Sequence, residues 1–344
     1  MAEPLITINK APSPPSTTST FQGQSSFSQK ILNFTFTLTS NPQSAQPAVF
    51  TNTTSNQLSI SGVRAQCRIT NASPPTASSA DMKIFGLPQS VVNDLSTLVP
   101  VEKLQRNTVL VSAGASSTGD ASAASANSAP ASGFSVVFGG TISYGVGDYS
   151  NMPDCSLHIL AQAGLIDAVV PAKPSSFPGQ TSVVTIMQQF ANLLNVGFEN
   201  NGVTFQLSNP YFPGTIMQQI YQCAYHAGIN AQVVDGGTKL AIWPRPGSRT
   251  SQTNIPLVSP QTGMVGYPLF TPTGYLIVKM IYNPDVIYGG NIQIQSSIQP
   301  ANRTWSVYGL NLALDSLVPG GEWMATVLCY PQGLTAPVPP TVAP

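Results

Sequence analysis

Asn33-Phe34-Thr35-Phe36-Thr37-Leu38-Thr39 alternates apolar and hydroxyl-bearing side chains, and that two-residue period decides the fold class. Successive side chains of an extended strand point to opposite faces, so this stretch reads as a half-buried β-strand. The same reading extends outward. Leu58–Thr70 reads as one or two strands, Met82–Phe85 as another and Leu157–Ala163 as a further one. Phe134–Phe138 and Thr141–Tyr144 read as two strands joined by a turn at Gly139-Gly140. One short helix is predicted over Val91–Leu98, with Ser90 as its N-cap. The first 165 residues are therefore mostly β.

Two segments in this part have no hydrophobic period. Residues 1–28 form a Ser/Thr/Pro/Gln arm, and residues 112–133 a Ser/Ala/Gly tract with Asp120 as its one charge. The tract has no large side chain to pack and is expected to be a hairpin tip or surface insertion. The middle of the chain differs. Thr185-Ile186-Met187-Gln188-Gln189 recurs as Thr215-Ile216-Met217-Gln218-Gln219, each time running into helical spacing. Ile186, Met187, Phe190, Ala191 and Leu194 share one face; Ile216, Met217, Ile220, Cys223, Ala224 and Ala227 share the other. Pro213 suits the first turn of the second helix, and Gly228 its left-handed end. Each helix leads into a hairpin-like stretch, Val196–Leu207 turning at Asn200-Asn201-Gly202 and Ala231–Trp243 turning at Asp235-Gly236-Gly237. This predicts a duplicated helix–hairpin unit.

After Pro244-Arg245-Pro246-Gly247 the strand pattern returns, at Leu276–Tyr282, Asn291–Ile298, Thr304–Leu310 and Trp323–Tyr330. Ala336-Pro337-Val338-Pro339-Pro340 favours an extended polyproline tail. The expected fold class is α+β, mostly β. Its segments are an arm (1–28), a first β-domain (29–170), a duplicated α+β domain (171–250), a second β-domain (251–331) and a Pro-rich tail (332–344).

Composition narrows the function. The chain has 344 residues but only 13 basic and 13 acidic ones, 8% charged. Ordinary soluble domains carry roughly 25%. So few charges give copies little mutual repulsion, which points to a surface covered by partners. The arm, the tract and the tail are likewise expected to be held by neighbours. Zero net charge offers no basic face for stable nucleic-acid binding. No apolar run approaches the roughly 18 residues of a membrane span, so stable membrane insertion is not expected. Met1-Ala2-Glu3-Pro4 does not read as a secretory signal. Cys67, Cys155, Cys223 and Cys329 lie far apart without a His/Cys cluster, so they read as buried hydrophobes and no metal site is expected. His158 falls on the polar side of a strand and His226 in the last turn of a helix, with no nucleophile motif beside either. Asp148 and Asp154 are a clustered carboxylate pair, but beside Gly and Pro they read as turn formers. No catalytic residue and no cofactor is expected.

Three stretches resemble the baseplate hub proteins of contractile-tailed bacteriophages. The first runs from Met82-Lys83-Ile84-Phe85-Gly86-Leu87-Pro88 to Val92-Asn93-Asp94-Leu95-Ser96-Thr97-Leu98. The second, most specific, is Val137-Phe138-Gly139-Gly140-Thr141-Ile142, with Asp148-Tyr149, Met152-Pro153-Asp154, Leu157-His158-Ile159 and Ala161-Gln162-Ala163-Gly164. The third is Gly263-Met264-Val265-Gly266-Tyr267-Pro268 with Tyr282-Asn283-Pro284 and Gly289-Gly290. The Ser/Ala tract and the Pro-rich arm depart from that pattern.

The resemblance implies a structural virion protein without enzymatic activity. It implies two tube-like β-domains, barrel or sandwich, flanking the α+β domain. Three such chains form a homotrimer whose six β-units face the hexameric tail tube, while the other end takes a trimeric central spike. The implied partners are sibling subunits, the tail tube protein, the spike and other baseplate proteins, with phage DNA only as passing cargo. The implied location is the tail baseplate of the virion, assembled in the host bacterial cytoplasm. Tyr144, Asp148, Tyr149 and Met152 on the matched hairpin loop, and Tyr267, Phe270 and Tyr275 in the last β-domain, are the candidate contact residues. Two other classes stay open: a tail or capsid adhesin that binds a host surface through aromatic platforms, and a peptidoglycan hydrolase using Asp148.

Overall fold

A computed structural model describes residues 29–39, 48–51, 53–71, 77–96, 107–116, 133–252 and 254–331. The arm at 1–28, residues 117–132 of the Ser/Ala tract and the tail at 332–344 lie outside the described residues, and so does the expectation that neighbours hold them.

The first half of the chain forms β1 (Gln29–Thr37), β2 (Gln57–Ser61), β3 (Ala65–Asn71), β4 (Ser79–Phe85), helix α1 (Gln89–Leu95), β5 (Thr108–Ser116), β6 (Phe134–Asp148) and β7 (Ser156–Gln162). The alternation in β1 is realised: Leu32, Phe34 and Phe36 are fully buried, and the two phenyl rings stack 6.3 Å apart. Burying a side chain of this size contributes roughly 1.5–3 kcal/mol. The segment after it forms α2 (Leu165–Val169), β8 (Ser175–Ser176), β9 (Gln180–Ser182), α3 (Val183–Leu193), β10 (Gly197–Asn200), β11 (Gln206–Ser208), β12 (Tyr211–Phe212), α4 (Ile216–Ala227), β13 (Ile229–Val234) and β14 (Lys239–Pro244). The rest forms β15 (Leu257–Val258), β16 (Leu269–Phe270), β17 (Leu276–Ile281), β18 (Asn291–Ile294), β19 (Thr304–Ser316) and β20 (Trp323–Pro331).

One sheet joins the two ends of the sequence, in the order β16-β17-β20-β19-β3-β4-β7-β6-β5-β1-β2, with β18 and β15 branching from β19. The seam is the antiparallel pair β3–β19, Cys67 facing Leu314. A single apolar core runs beneath it, from Phe34 and Met82 to Val278 and Val327. The class is α+β and mostly β; pairing leaves the sheet open, with β16 and β2 at its edges.

Several local expectations are corrected. Gly139 and Gly140 do not turn the chain, because β6 passes straight through them as a fifteen-residue strand. A Cβ on Gly139 would overlap the carbonyl oxygen of Gly236, and one on Gly140 would sit 2.7 Å from that of Gln162. These glycines serve close backbone approach rather than a bend. The true hairpin is β6–β7, Asp148 facing Ser156. Ser112–Ser116 belongs to β5, which pairs β6 with Gly114 opposite Phe134, so the tract does connect the strands of a hairpin. Helix α1 starts after Pro88, and Ser90 lies inside it rather than capping it.

The repeated pentapeptide sits at different heights on its two helices. In α4, Thr215 is the N-cap and exchanges a capping box with Gln218, so Pro213 lies outside the helix. In α3 the N-cap is Ser182, and Thr185 is already within the helix. Gln189 is consequently exposed, whereas Gln219 is buried and donates to the carbonyls of Lys173 and Gly214. Both predicted apolar faces are buried except at Leu194 and Ile216, which are half-buried, and Gly228 takes the left-handed cap. β13 and β14 form the expected hairpin. Val196–Leu207 does not: β10 runs parallel to β14, and β11 pairs β9. What recurs is a short strand, a helix and a strand, β9-α3-β10 and β12-α4-β13.

Candidate docking surfaces and the three-way junction

The first group of candidate contact residues gathers at one end of the β6–β7 hairpin. Tyr144 lies within β6, beside a bulge, and not in a loop; its ring meets His158 edge-on at 6.1 Å. His158 in turn places Nε2 2.8 Å from the Asp81 carboxylate. Asp148 ends β6, and its carboxylate accepts from the Ser150 hydroxyl and backbone N–H, which hold its pKa below the ordinary value. A general acid needs the opposite shift. Asp154 pairs with Arg64 at 3.1 Å, so both carboxylates serve a turn and an ion pair. Tyr149 is tied to α1 through its hydroxyl, 2.7 Å from Gln89 Nε2. Met152 stands free at 74% exposure.

The second group divides. Tyr267, 72% exposed, precedes edge strand β16, and Phe270 within that strand is 39% exposed with its ring 6.1 Å from Trp305. Val265 and Leu269 are exposed beside them, so this sheet edge is apolar. Tyr275 is half-buried and stacks on Tyr308 at 6.0 Å, so it belongs to a packed cluster instead of the rim.

The residues that join the regions escaped the sequence reading. Arg249, its side chain 3% exposed, sends Nε and an Nη to the two oxygens of Glu199 on β10 at 3.0 and 2.9 Å. A second contact, 3.4 Å, reaches Asp235 in the β13–β14 turn. Its backbone N–H donates to Gly289 at 2.7 Å, so one residue ties the helical unit to the last β-region. Buried Asn201 accepts from the N–H groups of Thr250 and Ser251. Burial opposes the charge on Glu199, but hydrogen bonds from Arg249 and Asn201 outweigh it and bring the carboxyl down to about 2. Gly236 of the same turn lies against Gly139 of β6, which adds the first β-region. A cavity of about 110 Å³ opens where the three regions meet, edged by Ser78, Ser135, Phe138, Gln232, Arg249 and Tyr282. Here Ser135 and Tyr282 hydroxyls meet at 3.1 Å, and burial pushes the Tyr282 hydroxyl up to about 12. The arrangement neutralises the buried Arg249 and ties three regions together. It pairs no nucleophile with a base.

A second ionic ladder crosses the sheet seam. Arg68 on β3 binds the Asp315 carboxylate on β19, and Glu322 links Arg68 at 3.9 Å to Lys279 on β17 at 3.8 Å. The thiols of Cys67 and Cys223 are pushed up to about 12 by burial, consistent with packing residues; Cys155 is half-buried. No helix among the described residues is long and apolar enough to cross a membrane. The sequence signals for the junction were the Gly139-Gly140, Asn200-Asn201-Gly202 and Asp235-Gly236-Gly237 turns and the Pro244–Gly247 boundary, all read as punctuation.

Comparison with known proteins places this fold. The family model described as baseplate hub gp41 matches residues 31–317. No curated protein matches the sequence. Among solved structures, a tail protein from Neisseria meningitidis MC58 superposes with a TM-score of 0.57 at 10% identity, covering 88% of this chain and 98% of that one. The 43 kDa tail protein of prophage MuSo2 from Shewanella oneidensis gives 0.51 at 10% identity, covering 88% and 96%. The E. coli c3393 protein, a type VI secretion component described as similar to the T4 tail proteins gp27 and gp5, gives 0.53 at 9% identity, covering 82% and 77%. At such identities the likeness is one of fold.

Proposed function

The chain belongs to the baseplate hub gp41 family, a family of structural phage-tail proteins and not of enzymes, and on that premise we propose that three copies form the ring joining tail tube to central spike. The observation that carries this reading is the single sheet with a β-region at each end and the helical unit between them. Each chain then contributes two tube-like β-units, so three chains present six to a hexameric tube while keeping threefold symmetry towards the spike. The apolar β16 edge and the Tyr149/Met152 tip supply contacts to siblings, tube or other baseplate proteins. DNA passes through the channel as cargo, the tail is contractile, and assembly takes place in the host cytoplasm.

Electron microscopy of the purified protein tests this reading. Threefold rings or tail-tip assemblies are the expected result. A protein that stays a dispersed monomer at high concentration overturns it.

A further inference from the structure

Among the described arginines, Arg64, Arg68 and Arg249 each face a carboxylate, and Arg303 lies over the Trp305 ring at 4.5 Å. Arg245, just past β14, is the exception. It is half-buried, and its Nε donates to the Asn230 side chain at 2.7 Å. Its two Nη groups make no hydrogen bond and meet no carboxylate among the described residues. The titratable groups near enough to act on it are Tyr288, Tyr308 and Tyr330. Burial lowers its pKa, yet a guanidinium stays charged in a protein, so a cation stands here without a counterion.

The surroundings are held in place. Asn230 is itself buried, on β13 opposite Trp243, and Tyr288 packs edge-on against Trp243 at 6.1 Å. The Tyr330 hydroxyl donates to the carbonyl of Gly247, two residues beyond Arg245, at 3.1 Å. Tyr308 is the extra residue of a bulge in β19: Val307 faces Cys329 and Gly309 faces Leu328, with Tyr308 unpaired between them. Bulges of this kind re-aim a side chain. The Tyr308 ring meets Tyr330 edge-on at 6.1 Å. An arginine set among fixed tyrosines is the composition of interface hot spots, which favours a protein ligand over a free ion. The Nη edge of a guanidinium matches the two oxygens of a carboxylate.

Charge balance points to the source of that carboxylate. Each copy carries 13 acids and 13 bases, and Asp285 is exposed with no cation beside it among the described residues. One chain thus brings both halves of such a pair. A contact from the cation of one copy to an acid of the next is heterologous, the kind that closes into a ring. Resting on the ring proposed above, we propose that Arg245 receives an exposed carboxylate of a second copy and anchors the contact between neighbouring subunits.

The test uses full-length protein carrying Arg245→Lys, assembled from light and isotopically heavy chains together, and a water-soluble carbodiimide that joins an amine to a touching carboxylate. Trypsin after Lys239 and Arg249 leaves position 245 on the peptide 240–249, which contains no acid and no other lysine. The expected result is a light–heavy adduct from that peptide to an Asp- or Glu-containing one. Arg245→Gln should weaken association several-fold, with its urea midpoint measured alongside; the crosslink stands whether or not that variant folds. Oligomers without the adduct, an adduct confined to one isotopic form, or unchanged association in Arg245→Gln would overturn this contact and leave the ring intact. A protein that never leaves the monomer would overturn the ring itself, and this contact with it.

Discussion

The junction around Arg249 and the tip around Met152 use the same chain in opposite ways. At the junction a scarce charge is almost fully buried, held by two carboxylates, and braced by glycines whose backbones touch. At the tip an apolar side chain stands in solvent at the end of a hairpin. A protein with 8% charged residues thus buries an ion pair where its own regions join and leaves apolar groups exposed at the tip proposed as a contact. Buried pairs add directional constraint more than net stability, which suits a joint. Exposed apolar groups add affinity only once a partner covers them.

The largest expected effect comes from breaking the joint. Arg249→Met leaves Glu199 without its cation and is expected to cost about 3–5 kcal/mol, the range for removing one partner of a buried pair. The midpoint of urea unfolding should fall. Arg249→Met with Glu199→Leu should recover much of the loss, since no charge is then left stranded. A double variant as unstable as the single one would mean that Arg249 acts by shape alone.

Acid probes the same pair. The folded-state pKa of Glu199, about 2, lies below its ordinary 4.5, so the pair's stability is fully present above pH 4.5 and is lost as pH falls towards 2. The loss over that window is about 3 kcal/mol. In Arg249→Met this part of the pH dependence should flatten.

Gly139→Ala ranks next. Its new Cβ runs into the Gly236 carbonyl, so the β13–β14 turn must move off β6. Overpacking of this kind costs about 1–3 kcal/mol. Thermal unfolding should show the loss, and faster amide exchange should concentrate in β6 and residues 232–239.

What the sequence made legible was local. The alternation of Phe34 and Phe36, the face of α4 and the cap at Gly228 each depend on neighbours a few residues away. What stayed hidden was distant. Gly139-Gly140 has the composition of a turn, and the close backbones of Gly236 and Gln162, both distant in sequence, are what these glycines accommodate. Asn201 looked like a hairpin turn residue, yet its side chain is committed to Thr250 and Ser251. Arg68 and Asp315 are separated by 247 positions, and no spacing pattern can announce such a pair. Of the proposed contact residues, Met152 and Tyr267 are the most exposed, because a short polar loop and a sheet edge were readable; Tyr275 was not, because its partner Tyr308 sits on another strand.

The smallest effect on folding is expected at the tip, and there it separates assembly from stability. Met152 is 74% exposed, so Met152→Ala should change the unfolding midpoint by no more than about 0.5 kcal/mol. A contact residue of this type, once covered by a partner, is worth more than about 1 kcal/mol at the interface. Met152→Ala should therefore lower the fraction of protein in rings or tail tips while the isolated chain unfolds as before. Tyr149→Ala is the harder variant to interpret, since it also releases Gln89 of α1 and loosens the loop. A measurable stability loss at Tyr149 with none at Met152, and an assembly defect at both, fits a docking tip. If Met152→Ala lost folding and assembly equally, the tip would be part of the scaffold, and the contrast with the Arg249 joint would fail.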